Sequence, residues 1–430
     1  MADKTDSSQA PGRARRAGRA FIREIVVPIA LALVFVQFAV QAFKIPSASM
    51  ENSLRIGDFL LGLKFVYGSP IPYSNKRLPA LSEPKPGDVV IFRYPGDPFY
   101  PEGKPERYRF VASLLLFGNL YWDRTPGPGE KSLVWYAPKD FIKRIVAKSG
   151  QTIEVEGASL RVDGNDAVLP REGRYAAGTG SLRAFEPVRD HLRYRLPVPG
   201  ETIALDTLSL TQAAWLRSIA IQENPDKKVE LKLDLFRGGN PANDYVMPWL
   251  RGDARDRNHQ AALFYLGLPV AEAAPGLLQV RDVPFARVQD LARTGYLRAA
   301  DLMPPALRNA GGRREEFNEY YMGNYLEVIA ANLRALDTAF HVRARLVVDG
   351  VESDRYTVRE PLYFMMGDNR DNSSDSRYWG PLSRRNVKAR ALIVYYSFED
   401  EEDGFSFTNP LSWLSVPLKI RWTRIGRLID

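Results

Sequence analysis

The stretch Met366-Gly367-Asp368-Asn369-Arg370-Asp371-Asn372-Ser373-Ser374-Asp375-Ser376-Arg377-Tyr378-Trp379-Gly380 decides how the rest of the chain is read. It is dense in small polar and charged residues, yet apolar Pro361–Met366 (PLYFMM) precedes it and Tyr378-Trp379-Gly380 closes it. Asp and Arg can pair bidentately, and Asn, Ser and Gly fix turns, so such a segment can hold a catalytic group in place. A calcium loop is the rival reading. Two arginines inside the segment and the missing alternation of oxygen ligands argue against it.

Two other segments carry chemistry. In Phe141-Ile142-Lys143-Arg144-Ile145-Val146 a lysine lies within an apolar, β-branched run. Desolvation there penalises the ammonium and lowers its pKa from about 10.4, and a neutral amine is a competent general base. In Pro46-Ser47-Ala48-Ser49-Met50 a serine becomes a nucleophile only if something takes its proton. Taken singly, a Ser-x-Ser pair reads as a turn and a strand lysine as an edge residue facing solvent.

Composition narrows the chemistry. The 430 residues contain no cysteine, which excludes disulfide scaffolds, zinc ribbons, iron–sulfur clusters and thiol nucleophiles. The three histidines, His191, His259 and His341, are scattered, so a histidine metal site or a Ser-His-Asp triad is not expected. Neither metal nor cofactor is expected, and a hydrolase here needs another base. The net charge of +8 suits an anionic membrane surface or nucleic acid without choosing between them.

Residues 1–24 are rich in arginine, and Ile25–Phe43 (IVVPIALALVFVQFAVQAF) then runs without a charge. At about 1.5 Å per residue it spans roughly 28 Å, close to the hydrocarbon thickness, with Pro28 near its start. The preceding arginines predict a cytoplasmic amino terminus. A cleaved signal peptide, cut near Val40-Gln41-Ala42, is the rival, but the apolar run exceeds the usual ~7–15 residues. Phe110–Trp122 is too short to span and reads as a buried element or a membrane-dipping segment.

Beyond the anchor, strand-like runs dominate: Asp88–Arg93, Phe141–Ala147, Thr152–Val155, Arg345–Val348 and Arg390–Ser397. Ser209–Glu223, Val288–Met303 and Glu315–Leu336 have helical apolar spacing. Glu399–Asp403 reads as a solvated acidic loop, and Val416–Ile429 as a final strand or a face resting on lipid. The expected fold is mainly β. A basic tail (1–24) and one transmembrane helix (25–43) precede an antiparallel core (45–165 and 345–430) that carries a mixed α/β insertion (166–344).

The three segments, in this order behind an anchor, resemble the sequence boxes of bacterial type I signal peptidases, which use a Ser–Lys dyad. Lys85–Phe92 (KPGDVVIF) and the tail RWTRIGRLI add to the resemblance. It implies Ser49 as nucleophile, Lys143 as general base, and the Ser47 hydroxyl with the Ser49 N–H as an oxyanion hole. Ser373 is implied to hydrogen-bond the lysine. Asp375 and Arg377 would form a supporting ion pair, with Asp368, Arg370 and Arg144 nearby. Phe43, Ile45, Leu54 and Ile142 would line pockets for small substrate side chains. The implied substrates are signal-peptide-bearing preproteins with Ala-x-Ala-like sites, and the implied place is the bacterial cytoplasmic membrane, in contact with lipid and not with nucleic acid.

There are departures. Glu51-Asn52-Ser53 stands where the family usually has Pro-Thr after Ser-Met-x, and 98–138 and 166–344 are extra. Those insertions leave room for a peptidase dedicated to one substrate. An inactive anchored scaffold is disfavoured because Ser49, Lys143 and Ser373 are all present. Ser49 follows Phe43 by six residues, an extended reach of about 20 Å, which puts the site near the outer membrane surface.

Overall fold

The computed structural model describes residues 18–51, 53–71, 76–95, 140–156, 159–167, 191–247, 336–370, 372–399 and 419–429, with scattered positions between 170 and 334. The expected segments Phe110–Trp122 and Val288–Met303 lie outside these apart from Gln289, as do Asn52 and most of Glu399–Asp403.

Helix α1, Gly18–Phe38, is apolar and long enough to cross a membrane, and none of its residues is fully buried in the protein. It starts earlier and ends earlier than the uncharged run. Pro28 is therefore interior rather than terminal, and the turn before it, Ile22–Val26, is π-helical. Proline has no N–H to donate, and a π turn absorbs the missing rung. The last residues of the uncharged run leave the helix as strand β1, Val40–Lys44. Phe43 there gains burial in the β core that a lipid-facing helix would not offer. With the helix ending at Phe38, Ser49 follows it by eleven residues, so the upper limit of its reach is about 36 Å.

The strands that build the core and its neighbouring sheets include β2 (Asp58–Leu63), β3 (Val89–Arg93), β4 (Asp140–Lys148), β5 (Thr152–Glu156), β6 (Ser159–Val162), β7 (His191–Arg195), β8 (Val229–Arg237), β9 (Phe340–Val348), β10 (Val351–Ser353), β11 (Leu362–Met366), β12 (Leu382–Ser383) and β13 (Val387–Ser397). Seven of them form an antiparallel sheet in the order β1-β2-β13-β3-β4-β11-β12. Register shifts in the β2–β13, β13–β3 and β4–β11 pairings mark bulges, which bend and twist the strands, so the sheet curls. Gly62 stands inside one bend. A Cβ there would come within 2.7 Å of Ile91 and 2.8 Å of Phe43. Inside the curl Phe43, Ile45, Met50, Leu54, Leu60, Ile91 and Ile142 pack as one apolar cluster.

Two four-stranded sheets flank this core. One holds β6, β5 and β7, and the other holds β8, β9 and β10. Strand β9 pairs along its whole length with β8, from Phe340↔Arg237 to Val348↔Val229, and so crosses position 344/345. Helix α2, Leu210–Glu223, begins at Ser209, whose side chain accepts from the Gln212 N–H in a capping box. The Glu315–Leu336 helix is described only at scattered positions such as Leu326 and Ala330. The tail is not a strand: Trp422–Arg424 is a single 3-10 turn, and Ile420 and Leu428 make isolated bridges. Arg424 turns its charge inward onto Asp58, and Gly426 at φ +88° breaks the extended run.

Helix α2 joins the core through buried polar contacts. Trp215 Nε1 donates to the Tyr378 carbonyl at 3.2 Å, and a Cβ on Gly380 would meet the Trp215 ring at 2.6 Å. Gln222 accepts from the Ser383 N–H at 2.7 Å and donates to the Pro381 carbonyl at 3.1 Å. Trp215→Phe keeps the ring but removes the indole donor to the Tyr378 carbonyl. The expected loss is about 1–2 kcal/mol in denaturant unfolding, with the slope unchanged.

Candidate active site

Lys143 lies on β4 opposite Val90 of β3, and the next residue, Arg144, faces Val89 on one side and Met366 of β11 on the other. This register sets the lysine beside the point where β11 gives way to the polar segment 367–377. Ser49 sits in the 3-10 turn Ala48–Met50 between β1 and β2. The Lys143 and Ser49 side chains, 94 positions apart in sequence, meet here. Lys143 Nζ donates to Ser49 Oγ at 2.6 Å and to its own Ile142 carbonyl at 3.0 Å. Lys143 is 3% exposed and Ser49 9%. Burial pushes the lysine down to about 8. The Asp375 and Asp368 carboxylates oppose that, and Arg377 adds to it.

The polar segment clamps the serine turn. The Asn369 N–H donates to the Ser49 carbonyl at 3.1 Å, and Asn369 Nδ2 donates to the Ala48 carbonyl at 3.1 Å. Gly367 lies between the two: a Cβ on it would stand 2.5 Å from the Ser49 carbonyl oxygen and 2.2 Å from Ser373 Oγ. No side chain fits there.

Two buried ion pairs brace this arrangement. Arg144 grips Asp368 with Nε at 2.9 Å and Nη2 at 2.8 Å, and Ser53 Oγ donates to the same carboxylate at 2.5 Å. A third arm, Arg144 Nη1, donates to the Gly87 carbonyl at 2.8 Å. Arg377 grips Asp375 through Nε at 2.8 Å and Nη2 at 2.9 Å, and the Gly367 N–H also donates to Asp375 at 3.1 Å. Burial favours the neutral acid at Asp375, but the Arg377 charge and these hydrogen bonds outweigh it and hold the carboxyl below its usual range. Arg370 is buried too. Its carbonyl accepts from Arg377 Nη2 at 2.5 Å, and its Nη1 reaches Met366 Sδ at 3.4 Å.

The family described as "Signal peptidase, peptidase S26" matches residues 18–205 and 327–396, more than half of the chain. The chain belongs to the signal peptidase family. It is a mainly β endopeptidase, and its family's reaction is the removal of signal peptides. The chain is 43% identical over 392 residues to "Signal peptidase I" of Buchnera aphidicola subsp. Schizaphis graminum, covering 91% of this chain and 75% of that protein. To "Signal peptidase I" of Aquifex aeolicus it is 23% identical over 408 residues, 94% of this chain and 96% of that protein. For the Haemophilus influenzae protein of the same name the figures are 24% over 386 residues, 88% and 71%.

Within this peptidase the residues singled out from sequence fall into three groups. Ser49, Lys143, Arg144, Asp368, Arg370, Ser373, Asp375 and Arg377 gather around one buried site. Phe43, Ile45, Leu54 and Ile142 share the apolar cluster beside it, with Met50. Ser47 is exposed, its Oγ 3.4 Å from Ser49 Oγ, at the outer edge of hydrogen-bonding range. Asp368 pairs with Arg144, which β4 delivers directly opposite Met366. One contact differs from what the resemblance implied. Ser373 Oγ is buried without a hydrogen bond of normal geometry, and Lys143 spends its contacts on Ser49 and Ile142 instead.

Sequence reading missed Gly367, Asn369 and the Ser53 bond. A glycine where an apolar strand meets a polar loop is a usable sign of close backbone approach. Nothing in the sequence marks Ser53 beyond its hydroxyl. Among the described residues no group of three or more Asp, Glu or His side chains is placed to hold a metal ion.

Proposed function

We propose that Ser49 is the nucleophile of this peptidase and Lys143 its general base, acting on exported preproteins with Ala-x-Ala-like sites. The 2.6 Å contact between Lys143 Nζ and Ser49 Oγ inside a buried site carries this reading. The neutral amine takes the Ser49 proton as Oγ attacks the scissile carbonyl. The C–O bond forms and the oxygen of the tetrahedral intermediate becomes negative. The Ser49 N–H lies in the first turn of a 3-10 helix, where N–H groups lack internal acceptors. With the Ser47 hydroxyl it stabilises that charge, each donor being worth about 3–4 kcal/mol of barrier. The lysinium returns its proton to the leaving amine. Water, deprotonated by Lys143, then splits the acyl ester and regenerates Ser49.

Phe43, Ile45, Leu54 and Ile142 supply the apolar walls against which small substrate side chains pack. Helix α1 anchors the chain in the cytoplasmic membrane with its arginine-rich end inside, which leaves the catalytic body, 45–165 and 345–430, on the outer side. The insertion 166–344 buttresses that body through α2 rather than supplying chemistry.

The pH dependence tests the base. Lys143 must be neutral to act, so kcat/KM on a soluble peptide is expected to rise with pH through a limb near 8 and then level. Lys64 is also held near 8, by burial first, but among the described residues its Nζ hydrogen-bonds the Val36 and Gln37 carbonyls rather than a hydroxyl. A limb that stays in Lys64→Gln belongs to Lys143. A flat profile between pH 6 and 9, values chosen to bracket about 8, would contradict the assignment.

A further inference from the structure

The carboxyl end of α1 is held by the catalytic body. The last carbonyls of a helix have no partner inside it. Here four consecutive ones are all taken. Lys64 Nζ donates to Val36 at 3.2 Å and to Gln37 at 3.1 Å, Ser69 Oγ donates to Phe38, and the Lys64 N–H donates to Ala39 at 2.9 Å. All the donors come from the segment just after β2. Lys64 is buried, an unusual place for a lysine unless its ammonium is occupied. A cation at a helix carboxyl end also meets the negative pole of the helix dipole.

That segment is itself fixed. The Tyr67 hydroxyl donates to Asp88 at 2.8 Å, its carbonyl accepts from Arg384 Nη2 at 2.7 Å, and the Ile145 N–H reaches the Asp88 carbonyl at 3.0 Å. Strand β1 starts two residues after α1 and pairs with β2 over five residues, from Val40↔Leu63 to Lys44↔Phe59. The end of α1, β1, β2 and Lys64 thus close a ring, and Ser49 sits in the loop that joins the two strands.

We propose that Lys64, with Ser69, clamps the membrane helix to the catalytic sheet and so fixes the height of Ser49 above the lipid. Lys64 is then a position that determines specificity for the spacing between a signal peptide's apolar segment and its scissile bond. This rests on the reading of α1 as the membrane anchor. A rigid clamp admits one spacing, because a substrate embedded in the same bilayer brings its scissile bond to a height set by that spacing. A loose one lets the body tilt and admits several.

The test uses the full chain in phosphatidylethanolamine–phosphatidylglycerol vesicles. One set of substrates is a preprotein series lengthened residue by residue between apolar segment and cleavage site. The other is a soluble peptide spanning the site alone. Wild type is expected to show a sharp optimum across the series. Lys64→Met is expected to flatten it about five- to thirtyfold, the worth of one or two hydrogen bonds at about 1 kcal/mol each, while cleaving the soluble peptide at the wild-type rate. Lys64→Arg keeps cationic donors and is expected to keep the optimum. An unchanged optimum in Lys64→Met overturns the proposal. So does an equal fall on both kinds of substrate, which would make Lys64 a residue of the fold only. Should Lys64→Met not fold, Ser69→Ala, which removes only the Phe38 contact, is read in the same way. Ser49→Ala on the soluble peptide tests the nucleophile separately, and the spacing profile tests the clamp whichever serine reacts.

Discussion

Lys143→Met is expected to lower kcat on a soluble signal-site peptide by about 10⁴ or more and, below pH 8, to raise the melting temperature. A positioned base is typically worth 10²–10⁴, and a nucleophile and base that act as a unit reach the upper end or exceed it. The stability effect follows from burial. The amine is held near 8 in the folded protein and near 10.4 in the unfolded chain, so between those values the unfolded chain binds more protons. Stability therefore rises with pH across that window. Below it the folded protein bears the whole cost of the buried ammonium, roughly 3 kcal/mol at 1.36 kcal/mol per unit. Methionine of similar length removes that cost and packs beside Phe141 and Ile142. Circular dichroism on heating reads the stability, and single-turnover cleavage reads the rate. A variant that melts lower, or that keeps more than about a hundredth of the activity, would show that Lys143 is a structural lysine.

Gly367→Ala is expected to disrupt the serine turn and slow the enzyme by about 10². Its Cβ would meet the Ser49 carbonyl oxygen at 2.5 Å, a backbone atom that cannot swing away, and Ser373 Oγ at 2.2 Å. Relief requires the serine turn and the polar segment to part, which stretches the Asn369-to-Ser49 hydrogen bond and moves Oγ away from Lys143. Overpacking costs about 1–3 kcal/mol of stability, and a shift of 1 Å at a catalytic atom costs about 10² in rate. Pairing it with Ser373→Gly removes one clash and leaves the backbone one, so the double variant stays slow. Wild-type kcat in Gly367→Ala would mean that the Ser49 turn is free to adjust.

Much of this site was legible because its chemistry is written in short segments. Lys143 stood out as a charge inside FIKRIV, and burial does lower its pKa. Read as local patterns, Ser49 and Lys143 were separate hints that only the family resemblance joined; their meeting depends on β4 and the β1–β2 loop, a fact of register that no local pattern carries. The same limit hid the pairing of Asp368, whose partner Arg144 is delivered by the sheet, opposite Met366. Strand positions were read closely wherever β-branched runs were bounded by turn residues: Asp88–Arg93 is found as Val89–Arg93, and Arg390–Ser397 as Val387–Ser397. The end of the apolar helix was misplaced because hydropathy cannot distinguish a lipid-facing residue from one in an apolar β core, and Phe43 suits both. The tail's alternation suggested a strand, yet Arg424 is drawn inward by Asp58, a partner 366 residues away.

The central claim is that Ser49 forms the acyl-enzyme, and one measurement addresses it directly. Detergent-solubilised full-length protein is incubated with a radiolabelled preprotein carrying an Ala-x-Ala site, wild type beside Ser49→Ala, and the products are sized and sequenced. The account predicts cleavage after the second alanine by wild type and none by Ser49→Ala. Cleavage at that bond by Ser49→Ala would contradict it.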